Sequence, residues 1–537
     1  MKKIILALSV CGLFFVQSCQ NDDGLGEDPN AKVVLDTNAS NLNKRINLSG
    51  SGVLDLVTSG ALTGKLTETA AGNFPMSLLA EVTSPVYQGK VLKATHVDVK
   101  DHYVYVSYNT PGETYLGGID VIDISSPNNP KLVVQAILPN VDISTVLYDG
   151  GKLYIAGAID VDFNSPAETP AFVAQMPLQS GLLTTDYLLN PLASYVTTGV
   201  AVAESSYYAV SGNNGVLAKF NKATNVLETS IAIQDLRAMG KIDNKIVVLS
   251  GTQGVKVYNE GSLSLVSSIA TSKDVADAKR TIDFQGANLL VAEGYQGLKM
   301  YNLSGGNLLQ TIAVPTASVD LDPNDVVTNA VSVNGDYVYV ANGAAGIYVY
   351  KTINGQLQLQ GSVALSGSSN YVKSVGDYIF VASGNGGLKI IKKVTVPTID
   401  CSNFPTYTGN QNLNVNSNED LKYQGSASLK TVNVNANLTF CGSLSISQGI
   451  NINSNGVFVM KGSMAQGQYN SNSSNFNVNG TLKIEGSVVI YGNLVLNNGA
   501  KLEFVGADSE ITIYGKVTKN NGVTITGTYK DTFGNLK

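Results

Sequence analysis

Between residues 91 and 393 one pattern recurs: a short apolar strand, a turn, a strand such as Tyr337-Val338-Tyr339-Val340, a glycine turn and a further strand. This repeat constrains the fold more than composition does, because a short unit can bury its apolar face only against its neighbours. The clearest copies are "YYAVSGNNGVLAKF", "IVVLSGTQGVKVY", "LLVAEGYQGLKMY", "YVYVANGAAGIYVY" and "YIFVASGNGGLKII". Each carries Gly-x-x-Gly at its turn, at Gly212/Gly215, Gly251/Gly254, Gly294/Gly297, Gly343/Gly346 and Gly384/Gly387, with the second glycines 39, 43, 49 and 41 residues apart. Two earlier copies, "YVYVSYNTPGETYLGGIDVID" and "KLYIAGAIDVDFNSPAETPAFVA", keep the strands and lengthen the turn. Seven units of this size predict a seven-bladed β-propeller over residues 91–395.

A lone Gly-x-x-Gly could cradle a phosphate. Here it recurs between two strands and leads into no helix, so it reads as a hairpin in which glycine supplies a positive φ. Ring closure is legible as well. The sixth unit is followed by an outer strand, "QLQLQGSVALSG", whereas the last stops at "LKIIKKV". The segment "MSLLAEVTSP", Met76–Pro85, has the character to supply the missing strand, and residues 45–90 are read as an N-terminal segment that contains it.

The first unit ends "GGIDVIDISSPNNPKLV", in which Asp123, Ser125, Pro127 and Pro130 carry a resemblance to the LVIVD repeat. Later units share only strands and glycines with it. The resemblance implies a β-propeller on a bacterial surface or in the periplasm, and it implies no activity.

From about residue 396 asparagine becomes frequent, and glycines 480, 486, 492, 499 and 506 punctuate short alternating strands. That texture predicts a β-solenoid over 396–537, resembling a parallel β-helix, with aliphatic residues stacked inward and asparagines laddered at the turns; a jelly-roll sandwich would alternate similarly. The whole chain is thus read as all-β: 14% of residues are charged, Trp is absent, and no long stretch has a 3.6-residue period. Formal charge is −6 without basic blocks, which argues against nucleic acid as a partner.

At the N-terminus Lys2 and Lys3 precede an apolar run of 13 residues, Ile4–Val16. A spanning helix needs roughly 20, so residues 1–18 read as an export signal. Val16-Gln17-Ser18-Cys19 resembles a bacterial lipobox with Gln17 as a departure, which makes Cys19 the lipidated residue and the membrane a partner through that lipid. An ordinary cleaved signal with an incidental Cys19 is the alternative. Residues 19–44 are read as a flexible tether. Its start, Gln20-Asn21-Asp22-Asp23, resembles the export signal of surface lipoproteins of the Bacteroidota type, and implies an outer-membrane, lipid-anchored protein facing the cell exterior. A periplasm-facing lipoprotein is the other orientation. Two cysteines remain, Cys401 and Cys441, and in an exported protein they could form a disulfide.

Long loops on a rigid scaffold are where binding resides. The start of each first strand, the end of the second and the end of the fourth share one face. The insertions Tyr108–Gly118 and Gly157–Pro170 fall there, as do Tyr295 at a hairpin tip and the acidic set Asp320, Asp322 and Asp325. The acidic set is a calcium candidate without the full calcium-loop pattern, so a plain acidic loop is the competing reading and no metal is assigned. Aligning the first strands puts Thr95, Ser144, Thr198, Arg280, Asn329 and Tyr371 at one level with Arg237 close by, a polar ring fit for a polar or anionic ligand. Solvated side chains capping an empty channel would look the same. Neither His96 nor His102 has a convincing catalytic partner, there is no Gly-x-Ser-x-Gly elbow, and Glu485, Glu503, Asp508 and Glu510 are scattered through the tail. The chain is therefore expected to be a binding or adhesion module with no cofactor and no catalytic activity, taking polysaccharide or an envelope or cell-surface protein as partner. The alternatives are a propeller enzyme acting on a glycan or lactone and a periplasm-facing envelope scaffold.

Overall fold

The structure is a computed structural model that describes residues 32–48, 52–54, 76–112, 114–163, 168–273, 279–317, 321–393, 401–468 and 474–537. The signal segment 1–18, Cys19, the first part of the tether and Asp320 lie outside these residues.

Seven antiparallel sheets form the propeller. Blade 1 is Lys93–Lys100, Tyr103–Asn109, Leu116–Asp123 and Lys131–Pro139; blade 2 is Val141–Asp149, Lys152–Ile159, Ala171–Pro177 and Leu188–Pro191. Blades 3 to 6 follow with first strands at Thr197–Val202, Leu236–Ile242, Ile282–Gln285 and Ala330–Asn334. Blade 7 opens with Tyr371–Val375. Second strands such as Ser206–Ser211 are buried along their whole length, because neighbouring blades cover both faces; this is why they read as unbroken apolar runs. Fourth strands such as Leu227–Ala232 line the rim and are largely exposed.

The glycine hairpins differ between blades. In blades 5 to 7 both glycines have positive φ, for example +59° at Gly343 and +80° at Gly346. Gly212, Gly215 and Gly251 do not, so positive φ is not the general reason for glycine there. Space is the reason at the second glycine. A Cβ on Gly346 would stand 2.1 Å from Val363 O, and one on Gly387 would stand 2.0 Å from Val82 O. The hairpin tip is pressed against the end of the outer strand.

In blade 7 that outer strand is Met76–Val82, paired antiparallel with Leu388–Lys393. Ile46–Asn47 and Gly52–Leu54 pair with its other edge. Glu81 and Lys389 are cross-strand partners joined by a 2.6 Å ion pair, with the lysine side chain only 3% exposed. The reading of residues 19–44 as a tether needs correction for its second half. Val34–Asp36 adds a fifth strand to blade 1, and Ala39–Leu42 forms a helical turn capped by Asn38, with Leu42 buried. Arg45 then reaches blade 1. It places both terminal nitrogens on the Asp120 carboxylate at 2.9 and 2.6 Å and donates to Gln135 Oε1 and Thr83 O. This stretch is docked by backbone pairing and a buried ion pair, neither of which needs an apolar period.

The C-terminal domain is a solenoid of two parallel sheets, which excludes the sandwich. One sheet stacks six short strands, from Asn412–Val415 to Val517–Lys519; the other begins with ten-residue strands, Asp420–Leu429, Asn437–Ile446, Val457–Gln466 and Thr481–Ile490. Phe440, Phe458, Ile484 and their stacked neighbours fill the space between. Each ten-residue strand turns a corner at Gly425, Gly442, Gly462 or Gly486, all at positive φ. Any Cβ on the last three would meet the carbonyl of the glycine in the preceding coil at 1.9 to 2.2 Å. The asparagine ladders lie on a sheet face as well as at turns: Asn433, Asn451 and Asn477 each donate to the asparagine one coil before, at 2.8–2.9 Å. Cys401 and Cys441 form a disulfide.

The solenoid is seated on the propeller where the ring closes. Val489 and Tyr491 belong to the same core as Leu79, Ala80 and Leu132. Ser77 and Ser443 hydroxyls are 2.8 Å apart, Asn128 donates to Ser487 Oγ, and the Tyr514 hydroxyl donates to Asn128 O. Asn128 lies in the Ser125–Pro130 hairpin that carries the repeat resemblance. That hairpin joins third and fourth strands, so the solenoid covers the face opposite the starts of the first strands.

Candidate functional site

The starts of the first strands surround a cavity of about 320 Å³. In blades 1 to 4 the ladder between first and second strands slips by one residue, and the extra residues are Thr95, Ser144, Thr198 and Arg237. A bulge of this kind re-aims a side chain, and all four line the cavity. Two also stitch blades together: Thr95 Oγ1 donates to Ile143 O at 2.9 Å and Thr198 Oγ1 to Leu236 O at 3.0 Å. Arg237 Nε is held 2.6 Å from Asp235 Oδ1. Asn329 joins the lining from blade 6, with Lys93 and Asn109 from blade 1.

Two expected ring members are elsewhere. Arg280 has φ +51°, which turns it away from the cavity; it is fully buried, with Nε 3.4 Å from Ala292 O and Nη2 3.3 Å from Ser272 O. Lys279 takes its place in the lining. In blade 7 Asn370 is at the rim, and Tyr371 lies beneath it with its ring 3.9 Å from that of His96. Blades 5 to 7 lack the bulge, so an alignment anchored on the glycine hairpins slips by one residue in two of them. Tyr295 is outside the cavity, donating to Asn324 O at 2.9 Å. Asp322 caps the Pro323–Asp325 turn through Asn324 N, and among the described residues no group of three His, Cys, Asp or Glu could hold a metal ion.

Lys279 Nζ crosses the channel and donates to Thr95 O at 2.5 Å and Ser144 O at 3.0 Å, lying 5.1 Å from the Tyr371 ring centre. Burial pushes its ammonium down to about 7. Deeper in the channel His96 is held well below its usual value by burial, then by Lys279 and Lys373. Among the described residues its Nδ1 has no hydrogen-bond partner. Two channel carboxylates are engaged by the backbone of the following blade: Asp98 accepts from Tyr148 N and Asp283 from Val333 N, both at 2.7 Å. They act as blade-to-blade ties. In the solenoid Glu485 and Glu503 each pair with a lysine of the neighbouring coil, at 3.4 and 2.8 Å from Lys461 and Lys483. A second, uncharged concavity of about 500 Å³ borders the amide ladder at Gln448, Asn451, Asn475 and Asn477.

Asp142 orders the insertion beside the cavity, its Oδ1 accepting from Thr110 N and Leu116 N at 3.2 Å. Burial pushes its carboxyl up to about 6. Between the ordinary aspartate value and about 6 the folded protein therefore binds a proton that the unfolded chain does not, so this residue's contribution to stability falls as pH rises through that window. Asp142→Asn retains an acceptor oxygen and removes the buried charge. The variant should melt above the wild type at pH 7.5, and the gap should narrow markedly by pH 4.5 in paired scanning calorimetry. A gap independent of pH would contradict this.

No family model and no curated protein matches the chain. Solved structures similar to it include the computationally designed Ika8 protein, at 13% identity over 58% of this chain and 98% of that one with a TM-score of 0.38. They also include the WD40 β-propeller domain of Doa1, at 11% identity over 61% and 97% with a TM-score of 0.43.

Proposed function

We propose that the protein is an envelope lipoprotein, anchored through Cys19 and facing the cell exterior, whose propeller mouth binds an acidic extracellular polysaccharide without turning it over. The observation that carries this reading is the composition of the mouth. Lys93, Arg237 and Lys279 converge there with amides and hydroxyls, in a chain whose formal charge is −6. Cations among hydrogen-bonding groups suit a hydroxylated anion. The solenoid occupies the opposite face, which leaves the mouth as the accessible end. The engagement of Asp98 and Asp283 by backbone amides supports a binding role over general acid–base chemistry.

The test is equilibrium binding of the purified mature chain to polygalacturonate, alginate and hyaluronan, with dextran and mannan as neutral controls. Binding to at least one acidic polymer and to neither control is expected, and Arg237→Ala should weaken it about tenfold. Equal retention by neutral polymers, or none by any acidic one, would overturn the reading; release of shortened products would favour the enzyme acting on a glycan. Protease shaving of intact cells tests the outward orientation, with digestion expected while a periplasmic control stays protected.

A further inference from the structure

We propose that the mouth takes the carboxylate of a terminal sugar acid, with Lys279 as its principal contact. This rests on the preceding reading and names the ligand group and the residue that selects it.

An ammonium has three N–H donors, and Lys279 gives two of them to the carbonyls of Thr95 and Ser144. Among the described residues no carboxylate lies within ion-pair distance of it. Its neighbours add positive charge or none: Lys93 and His96 from blade 1, Arg237 tied to Asp235 from blade 4, Tyr371 and Lys373 from blade 7. Two acids of the channel, Asp98 and Asp283, are bonded to backbone amides, and Asp98 also lies 3.8 Å from Lys373. A half-buried cation with no carboxylate beside it among the described residues is costly to desolvate, and one facing a cavity can be neutralised by a ligand. A carboxylate accepting the third N–H would do this, while Asn109 and Asn370 line the cavity where they can meet hydroxyls around it. The volume, about 320 Å³, suits one sugar ring, and the floor is closed by Lys279 above the Tyr371 ring, which lies tilted against that of His96. A chain end fits this shape, and a passing polymer does not.

Proton linkage follows. With its ammonium held near 7 by burial, Lys279 is only partly charged at neutral pH. A bound carboxylate favours the charged form, so binding draws a proton from the buffer, up to about half a proton per site at pH 7. The effect should fade as pH falls and Lys279 becomes fully protonated in the free protein.

The test is calorimetric titration of the mature chain with D-galacturonate and D-galactose, which share their hydroxyl pattern and differ at the carboxylate. It is run at pH 7 in buffers of different ionisation heat. Galacturonate binding with proton uptake is expected, with none at pH 5. Lys279→Met should lose the uptake and about ten- to a hundredfold in affinity. Galacturonate binding with no proton exchange, unaffected by Lys279→Met, would overturn this inference and leave the acidic-polymer reading standing. So would polymer binding without binding of the monomer. Equal binding of galactose would overturn it as well. Failure of every acidic polymer as well as galacturonate would overturn both. If Lys279→Met does not fold, the wild-type proton count decides alone.

Discussion

Deletion of Met76–Pro85 should leave the propeller unable to unfold as one cooperative unit and prone to aggregate. The excised strand holds Met76, Leu78, Leu79, Ala80 and Val82 in two separate cores, one shared with blade 6 and one with blade 1. At about 1.5–3 kcal/mol for each large side chain, that loss is comparable with the whole stability of an ordinary domain, about 5–15 kcal/mol. Three further penalties accompany it. Lys389, buried beside Glu81, is left without its carboxylate. Leu388–Lys393 becomes an open edge that can pair with another chain. Ile46–Asn47 and the solenoid contact at Ser443 lose their support. Urea unfolding followed by circular dichroism, together with size-exclusion chromatography, measures the result. A synthetic 76–85 peptide added in trans should restore part of the cooperativity. A single transition with a urea midpoint close to that of the wild type would show that the ring does not depend on this strand.

That strand was legible because a propeller needs a fourth strand in every blade, and the last unit visibly lacks one. The solenoid was legible for a related reason: stacking a coil on its neighbours imposes a rhythm of apolar residues and glycines. The glycine spacing of six or seven marks corners, whereas successive long strands are offset by 17, 20 and 24 residues, as in Asp420 to Asn437, Asn437 to Val457 and Val457 to Thr481. What escaped depends on single backbone angles and distant partners. Lys279 and Arg280 are adjacent cations, and the φ of Arg280 decides which one meets the cavity. The rim in blades 1 to 4 is set by bulges, which insert one residue without a sequence mark of their own. Val34–Asp36 is too short to show a period, and its neighbour Arg45 is one basic residue in a polar stretch until Asp120 is placed beside it.

Arg45→Ala should cost about 3–5 kcal/mol, the range for breaking a buried ion pair from one side. Asp120 is fully buried in the third strand of blade 1, and Arg45 meets it with both terminal nitrogens. The same guanidinium donates twice to Thr83 O, at 3.0 and 2.6 Å, immediately after the ring-closing strand. It therefore ties blade 7 to blade 1 at the seam that the closing strand completes. Lysine could keep the charge, but it has no planar fork to serve Asp120, Gln135 and Thr83 together. Arg45→Lys should accordingly fall between alanine and wild type. The decisive comparison is the pair Arg45→Met with Asp120→Leu. Removing both partners leaves no stranded charge, so the double variant should be more stable than Arg45→Met alone, with a coupling of several kcal/mol in a urea double-mutant cycle. If the single and double variants are equally unstable, the cost lies in lost packing at the seam, and Asp120 is not what Arg45 is there to satisfy. If Arg45→Ala unfolds within about 1 kcal/mol of wild type, the seam is held by strand pairing alone, and the deletion of Met76–Pro85 becomes the sole test of closure.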